Sequence, residues 1–197
     1  MKLLIFNKKT TGIYIIIIGL MLVMLGAVNK FDERIKSTSL IYNNIKALKV
    51  YSIENIKYTY KLPKNWSTEE EKVSGEEIIY HNSFISNDGG LHGYVQVWKL
   101  RRDLENFIED IKINSEVENR IYDYKVTNYN DSNIKGFKVV YKINTKNDNY
   151  VAYEYFIKLK ENFIRFSFYT KEKEFKESME NNYETLVKYL KEERTEN

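Results

Sequence analysis

YVAYEYFIKLKENFIRFSFYT, Tyr150 to Thr170, reads as two strands joined by a charged turn. Val151, Tyr153, Tyr155, Ile157 and Leu159 recur at every second position, and Ile164, Phe166 and Phe168 repeat the pattern. A period of two places alternate side chains on one side of an extended chain, so each strand presents a strongly apolar face. Upstream, Ile121 to Asn130 alternates through Tyr122, Tyr124 and Val126, and Phe137 to Asn144 through Phe137, Val139, Tyr141 and Ile143. Turns rich in Asn, Asp, Ser and Lys separate the runs, as successive antiparallel pairing requires. Downstream the period changes. Phe175, Met179, Tyr183, Leu186 and Leu190, spaced by four, four, three and four, predict an amphipathic helix.

Nearer the N-terminus, Glu76 to Ser86 and Leu91 to Leu100 flank Asn87-Asp88-Gly89-Gly90. Asp-Gly supplies the positive φ of a tight hairpin turn. Pairing Ser86 with Leu91 puts Tyr80, Phe84, Val95 and Val97 on one face and His81, Ser83, His92, Tyr94, Gln96 and Trp98 on the other. Asp103 is placed to cap a helix striped by Leu104, Phe107, Ile108 and Ile111. Before the hairpin, KYTYKLPKNW (57–66) alternates through Tyr58, Tyr60 and Leu62 and turns at Pro63, and the polar run 67–75 predicts a loop with a short strand.

Strand, hairpin, helix, a run of strands and a closing helix make an α+β domain. One-sided strands need cover, and the two striped helices supply it, so the expectation is an antiparallel β-sheet flanked by helices. The entry KYTYKLPKNW, the hairpin before a short helix, and the closing NFIRFSFYTKEKEFKESMENNYETLVKYL (162–190) resemble a bacterial PsbP-like domain over about 57–190. That family takes its name from an extrinsic subunit of photosystem II. The resemblance implies an antiparallel sheet with helices, used for binding or assembly rather than catalysis, and carries over no active-site residue.

The segment TTGIYIIIIGLMLVMLGAVN, 10–29, holds no charge, with Lys8 and Lys9 before it and Lys30 after. As a helix it would span about 30 Å, the hydrocarbon thickness of a bilayer. A cleaved signal has a shorter apolar core and a small-x-small site, and Leu25-Gly26-Ala27 begins with too large a residue. The reading is one transmembrane helix, a retained anchor bound to membrane lipid through 10–29. A cleaved signal and a buried helix are the alternatives. Lys2, Lys8 and Lys9 are unopposed by acids, which puts a short N-terminus, 1–9, in the cytoplasm. The rest follows outside: a helical stalk or linker over 30–56, the PsbP-like domain over 57–190 and a charged tail over 191–197. The protein is thus expected in the cell membrane, single-pass, with its body extracytoplasmic.

Composition narrows the function. Of 31 Lys and Arg, three precede the apolar segment, leaving 28 against 28 Asp and Glu in the remainder. A formally neutral body argues against nucleic acid as a partner. With no cysteine there are no disulfides, thiolate metal sites or thiol nucleophiles. No G-x-S-x-G, H-E-x-x-H, Walker or G-x-G-x-x-G pattern occurs. In the hairpin register His81 lies opposite Gln96 and His92 opposite Ile85, four strand residues or roughly 13 Å apart, too far to share a metal. No catalytic, cofactor or metal site is expected. His81, His92, Tyr94, Gln96 and Trp98 form an amphipathic face suited to a partner; the alternative is that this face packs beneath a helix or loop. The reading is a membrane-tethered, non-catalytic binding module for a protein or cell-envelope component. Its alternative is a structural subunit of a pilus-like or secretion assembly.

Overall fold

Asp88-Gly89 closes the hairpin as its residue types dictate. Gly89 takes φ +71°, the Gly89 N–H bonds the Ser86 carbonyl at 2.9 Å, and the Ser86 N–H bonds the Leu91 carbonyl at 2.8 Å. The turn locks the expected register: β4 (Ile78–Ile85) pairs with β5 (Leu91–Lys99), His81 opposite Gln96 and Ile85 opposite His92. The computed structural model describes residues 47–72, 77–99, 103–117, 121–131 and 134–193.

Upstream lie β1 (Leu48–Ile53), β2 (Tyr58–Pro63) and the short β3 (Ser67–Glu70). After β5 comes α1 (Leu104–Val117), then a meander of β6 (Ile121–Asp131), β7 (Ile134–Asn144), β8 (Asn149–Lys158) and β9 (Asn162–Lys171). Helix α2 (Ser178–Lys188) and the two-residue β10 (Lys191–Glu192) end the described chain. Every pairing is antiparallel. Hairpin and meander join through β5 and β9 into one seven-stranded sheet, ordered β3-β4-β5-β9-β8-β7-β6. The second sheet is β1-β2-β10.

Alternation fills the main core. Val95 and Val97 of β5, Tyr155 and Ile157 of β8, and Ile164, Phe166 and Phe168 of β9 all point to one side and are buried. Against them pack Ile53, Tyr60 and Leu62 of the small sheet and Tyr183, Leu186 and Val187 of α2. Each fully buried Phe contributes about 2–3 kcal/mol by leaving water. Gly93 is required at the crossing of β5 and β9, because a Cβ there would sit 1.9 Å from the Ser167 carbonyl oxygen.

Three expectations need correction. The sheet is not simply flanked by helices: among the described residues ten strands stand against two α-helices, and the body is mostly antiparallel sheet. Much of the cover over the apolar face is the second sheet, because Ile53, Tyr60 and Leu62 supply the apolar side that helices were expected to give. The helical stalk over 30–56 is also overturned where it is described. Leu48–Ile53 is a strand, since its β-branched and aromatic residues find a partner in β2 across a turn with Lys57 at φ 55°. The folded body therefore begins before residue 57, and the tail expected over 191–197 starts with a strand paired to β2. The anchor at 10–29, the terminus at 1–9 and the stalk over 30–46 lie outside the described residues. Among those described, no helix is long and apolar enough to cross a membrane.

Candidate functional site

The opposite face of the seven-stranded sheet is built from the residues that alternate with the core. Register sets them in rows. His92, Tyr169, Ala152 and Tyr141 run across β5, β9, β8 and β7; the next row is Tyr94, Ser167, Glu154 and Val139; the next is Gln96, Arg165, Phe156 and Phe137. β4 extends the rows with Ile85, Ser83 and His81. All five residues expected on the partner surface, His81, His92, Tyr94, Gln96 and Trp98, fall on this face.

The two ends of the face differ. Trp98 stacks on Phe163 with centroids 6.0 Å apart and meets Phe107 of α1 at 5.5 Å, while its indole N–H donates to Gln96 Oε1 at 3.0 Å. Gln96 is buried and its Nε2 donates to His81 Nδ1 at 2.8 Å. Helix α1 seals this end with Leu104 and Ile108 against Phe156, Phe163 and Val139. Trp98 and Gln96 are thus packing residues, and His81 is held beside them. His92 and Tyr94 lie at the other end, where an open cleft of about 630 Å³ is lined by Tyr94, Tyr141, Ile143, Tyr150 and Tyr169, with His92, Ser83 and Thr145. His92 stacks on Tyr169 with centroids 5.4 Å apart and takes Tyr150 edge-on at 5.4 Å.

Beside the cleft lies a buried charge pair that sequence reasoning missed. Glu154 is 1% exposed, and its Oε1 accepts from Arg165 at 2.7 Å, Ser167 at 3.0 Å and Tyr169 at 2.7 Å. The Tyr169 and Tyr94 hydroxyls are 3.1 Å apart, and the Arg165 guanidinium lies 5.3 Å from the centres of both the Tyr94 and Phe156 rings. Glu154 Oε2 and Arg165 Nε are buried without a hydrogen-bond partner. Burial opposes the Arg165 charge, but Glu154 together with Tyr94, Tyr169 and Tyr141 outweighs it and raises its pKa. Burial, then the Glu154 charge, pushes Tyr124 up to about 12 and raises Tyr94, Tyr141 and Tyr169. These hydroxyls stay protonated at physiological pH. Partial burial lowers the His92 pKa, so its ring favours the neutral form.

A signal for the pair was present. Glu154 and Arg165 occupy the off-phase positions of the two most apolar strands, flanked by the off-phase apolar residues Ala152, Phe156 and Phe163. A strand apolar in both phases is buried on both faces, so a charge there has to find a partner.

No protein-family model matches the chain, and no curated protein matches it significantly. Among solved structures, the cyanobacterial PsbP (CyanoP) from Synechocystis sp. PCC 6803 is similar over 75% of this chain and 93% of its own, with TM-score 0.55 and 12% identity. The fold is PsbP-like. At that identity the likeness concerns the backbone alone and transfers no residue role to the PsbP-like body. A crystal structure from Bacteroides thetaiotaomicron is similar over 71% of this chain and 46% of its own (TM-score 0.48, 10% identity). A protein of unknown function from Pseudomonas aeruginosa is similar over 64% and 84% (TM-score 0.36, 9% identity).

Proposed function

We propose that the protein is a membrane-tethered, extracytoplasmic binding module, non-catalytic, that engages a protein or cell-envelope component through the open end of the second sheet face. The observation that carries this reading is the aromatic cleft at His92, Tyr94, Tyr141, Tyr150 and Tyr169, beside a charge pair whose reachable groups are spent on one another. Glu154 Oε1 already accepts three hydrogen bonds, and the Tyr94 and Tyr169 hydroxyls are held in the same network. That arrangement fixes ring positions and engages the Glu154 and Arg165 head groups with each other, which favours recognition over turnover. Of the five residues first placed on the surface, His92 and Tyr94 line the cleft; His81, Gln96 and Trp98 support it from the closed end. Tethering by 10–29 confines the body near the bilayer and raises its local concentration toward partners there.

The test is made in intact cells with the full chain carrying a photo-crosslinking residue in place of His92 or, as a control, of the exposed Lys160. A discrete adduct through position 92 and none through 160, on a chain of unprocessed mass that stays in the membrane fraction after a high-salt wash, is the expected result. Equal labelling at both positions rejects the surface. A freely soluble chain lacking 10–29 rejects the tether.

A further inference from the structure

We infer that the protein pairs with a second copy of itself through the outer edge of β6, antiparallel over 125–131, so that two seven-stranded sheets run on as one. This edge lies outside the lining of the cleft, and the inference does not rest on the cleft binding anything.

The two edges of the large sheet are guarded differently. β3, at one edge, is four residues long and ends in Glu69 and Glu70. β6, at the other, runs for eleven, and among the described residues it bonds to no strand but β7. An edge strand presents a row of outward N–H and C=O groups, and long ones are protected by bulges, charges or proline. The bulge in β6 guards only its start: the register shifts between Tyr122 and Lys125, where Asp123 takes φ 57°. From Lys125 to Asp131 every residue pairs in step with β7, with no proline and no charge between the two ends. Val126 on this stretch is 42% exposed, and Asn128 and Asn130 beyond it are exposed as well.

The stretch is complementary to itself. Its ends carry opposite charges, Lys125 and Asp131, and an even spacing puts both on the same side of the strand. Two antiparallel copies in full overlap set each Lys125 opposite the partner's Asp131, and Asn128 opposite itself on the two-fold axis. Opposite charges directly across a strand pair stabilise it, and like charges oppose it. Sliding one copy by one or two residues parts both charge pairs, so charge selects a single register. Asp131 also holds Lys188 of its own chain, and a carboxylate has lone pairs for two cations. On the other side of the strand Val126 lies beside the partner's Asn130. A strand of another protein could satisfy the same backbone groups, but a second copy carries the matching charges at the matching spacing by identity. A two-fold contact of this kind is closed at two subunits.

The chain has no cysteine, so single cysteines report the register in the full chain, in detergent, under mild oxidation. In Asn128→Cys the two thiols meet on the axis, with Cα atoms about 4.5–5.5 Å apart and within disulfide reach. In Val126→Cys they stand four residues out of step, roughly 13 Å along the strand, and beyond it. The expected result is a disulfide-linked dimer of Asn128→Cys that forms at least about tenfold faster than that of Val126→Cys. Adding Lys125→Glu to Asn128→Cys sets like charges opposite each other, and a fall of at least about tenfold in that rate is expected. All three substituted residues are exposed, and an unchanged urea midpoint in each variant verifies that the fold is kept. No linked dimer, equal rates at 128 and 126, or a rate indifferent to Lys125→Glu overturns the inference.

Discussion

The two faces of the seven-stranded sheet share the same strands and differ in what orders them. On one face Tyr155, Ile157, Phe166 and Phe168 meet the small sheet and α2, and order comes from shape and exclusion of water. The Tyr129 and Tyr155 hydroxyls on that face are buried without partners. On the other face, one residue over, Glu154, Arg165, Ser167 and Tyr169 are tied by directional hydrogen bonds at 2.7–3.0 Å. Burial is similar, but the apolar face closes into a core. The polar face instead holds rings at set positions and leaves one end open. A network of directional bonds can support a preformed cleft at its edge, where an apolar core without cover would have to collapse or aggregate.

Substituting the charge pair breaks the contrast most sharply. Glu154→Leu strands Arg165 in the interior, and a loss of about 3–5 kcal/mol in urea unfolding is expected. Adding Arg165→Met recovers most of that loss, since two apolar side chains replace two cancelling charges. A double variant as unstable as the single one would mean that the second face is not organised by charge pairing.

The same chemical change made on the two faces then gives opposite signs. Tyr169→Phe removes a donor to a carboxylate and is expected to cost about 1.5–3 kcal/mol. Tyr155→Phe removes a buried hydroxyl that has no partner, so stability is expected to hold or rise by about 1 kcal/mol. Equal losses for both variants would erase the distinction between the faces. The smallest effect is the pH response of His92. Its folded pKa is lowered from 6.5, so the unfolded chain binds the proton first as pH falls through about 6.5. His92 therefore favours folding more above that pH, and the benefit declines below it until the folded ring also protonates. In His92→Asn the slope of stability against pH just below 6.5 is expected to flatten slightly, read from urea midpoints across pH.

Much of this was legible because local chemistry fixes it. Asp88-Gly89 set one turn and one register, and that register placed His81, His92, Tyr94, Gln96 and Trp98 on a common face before any pairing with distant strands was known. The meander was equally plain, since period-two apolar runs with polar turns leave few alternatives. What stayed hidden depends on distant pairing. Joining β5 to β9 brings Tyr94 beside Ser167 and Gln96 beside Arg165, some seventy residues along the chain, and no local pattern specifies it. Only that pairing puts Glu154 and Arg165 alongside the hairpin residues. It also determines which end α1 covers, separating Trp98 from His92. The strand at Leu48–Ile53 was misread for a related reason. Leu48–Ile53 lies inside the segment expected as a helical stalk or linker, and a six-residue strand shows its identity only through its partner in β2.

Hydrogen–deuterium exchange on the full chain, alone and with its own isolated cell envelope, locates the working surface without altering a residue. Slower exchange confined to peptides covering 91–94 and 141–150, the open end of the polar face, is the predicted outcome. Protection centred instead on 157–160 and 191–193 at the far end of the molecule, or none anywhere, would contradict the assignment of that cleft as the place where a partner sits.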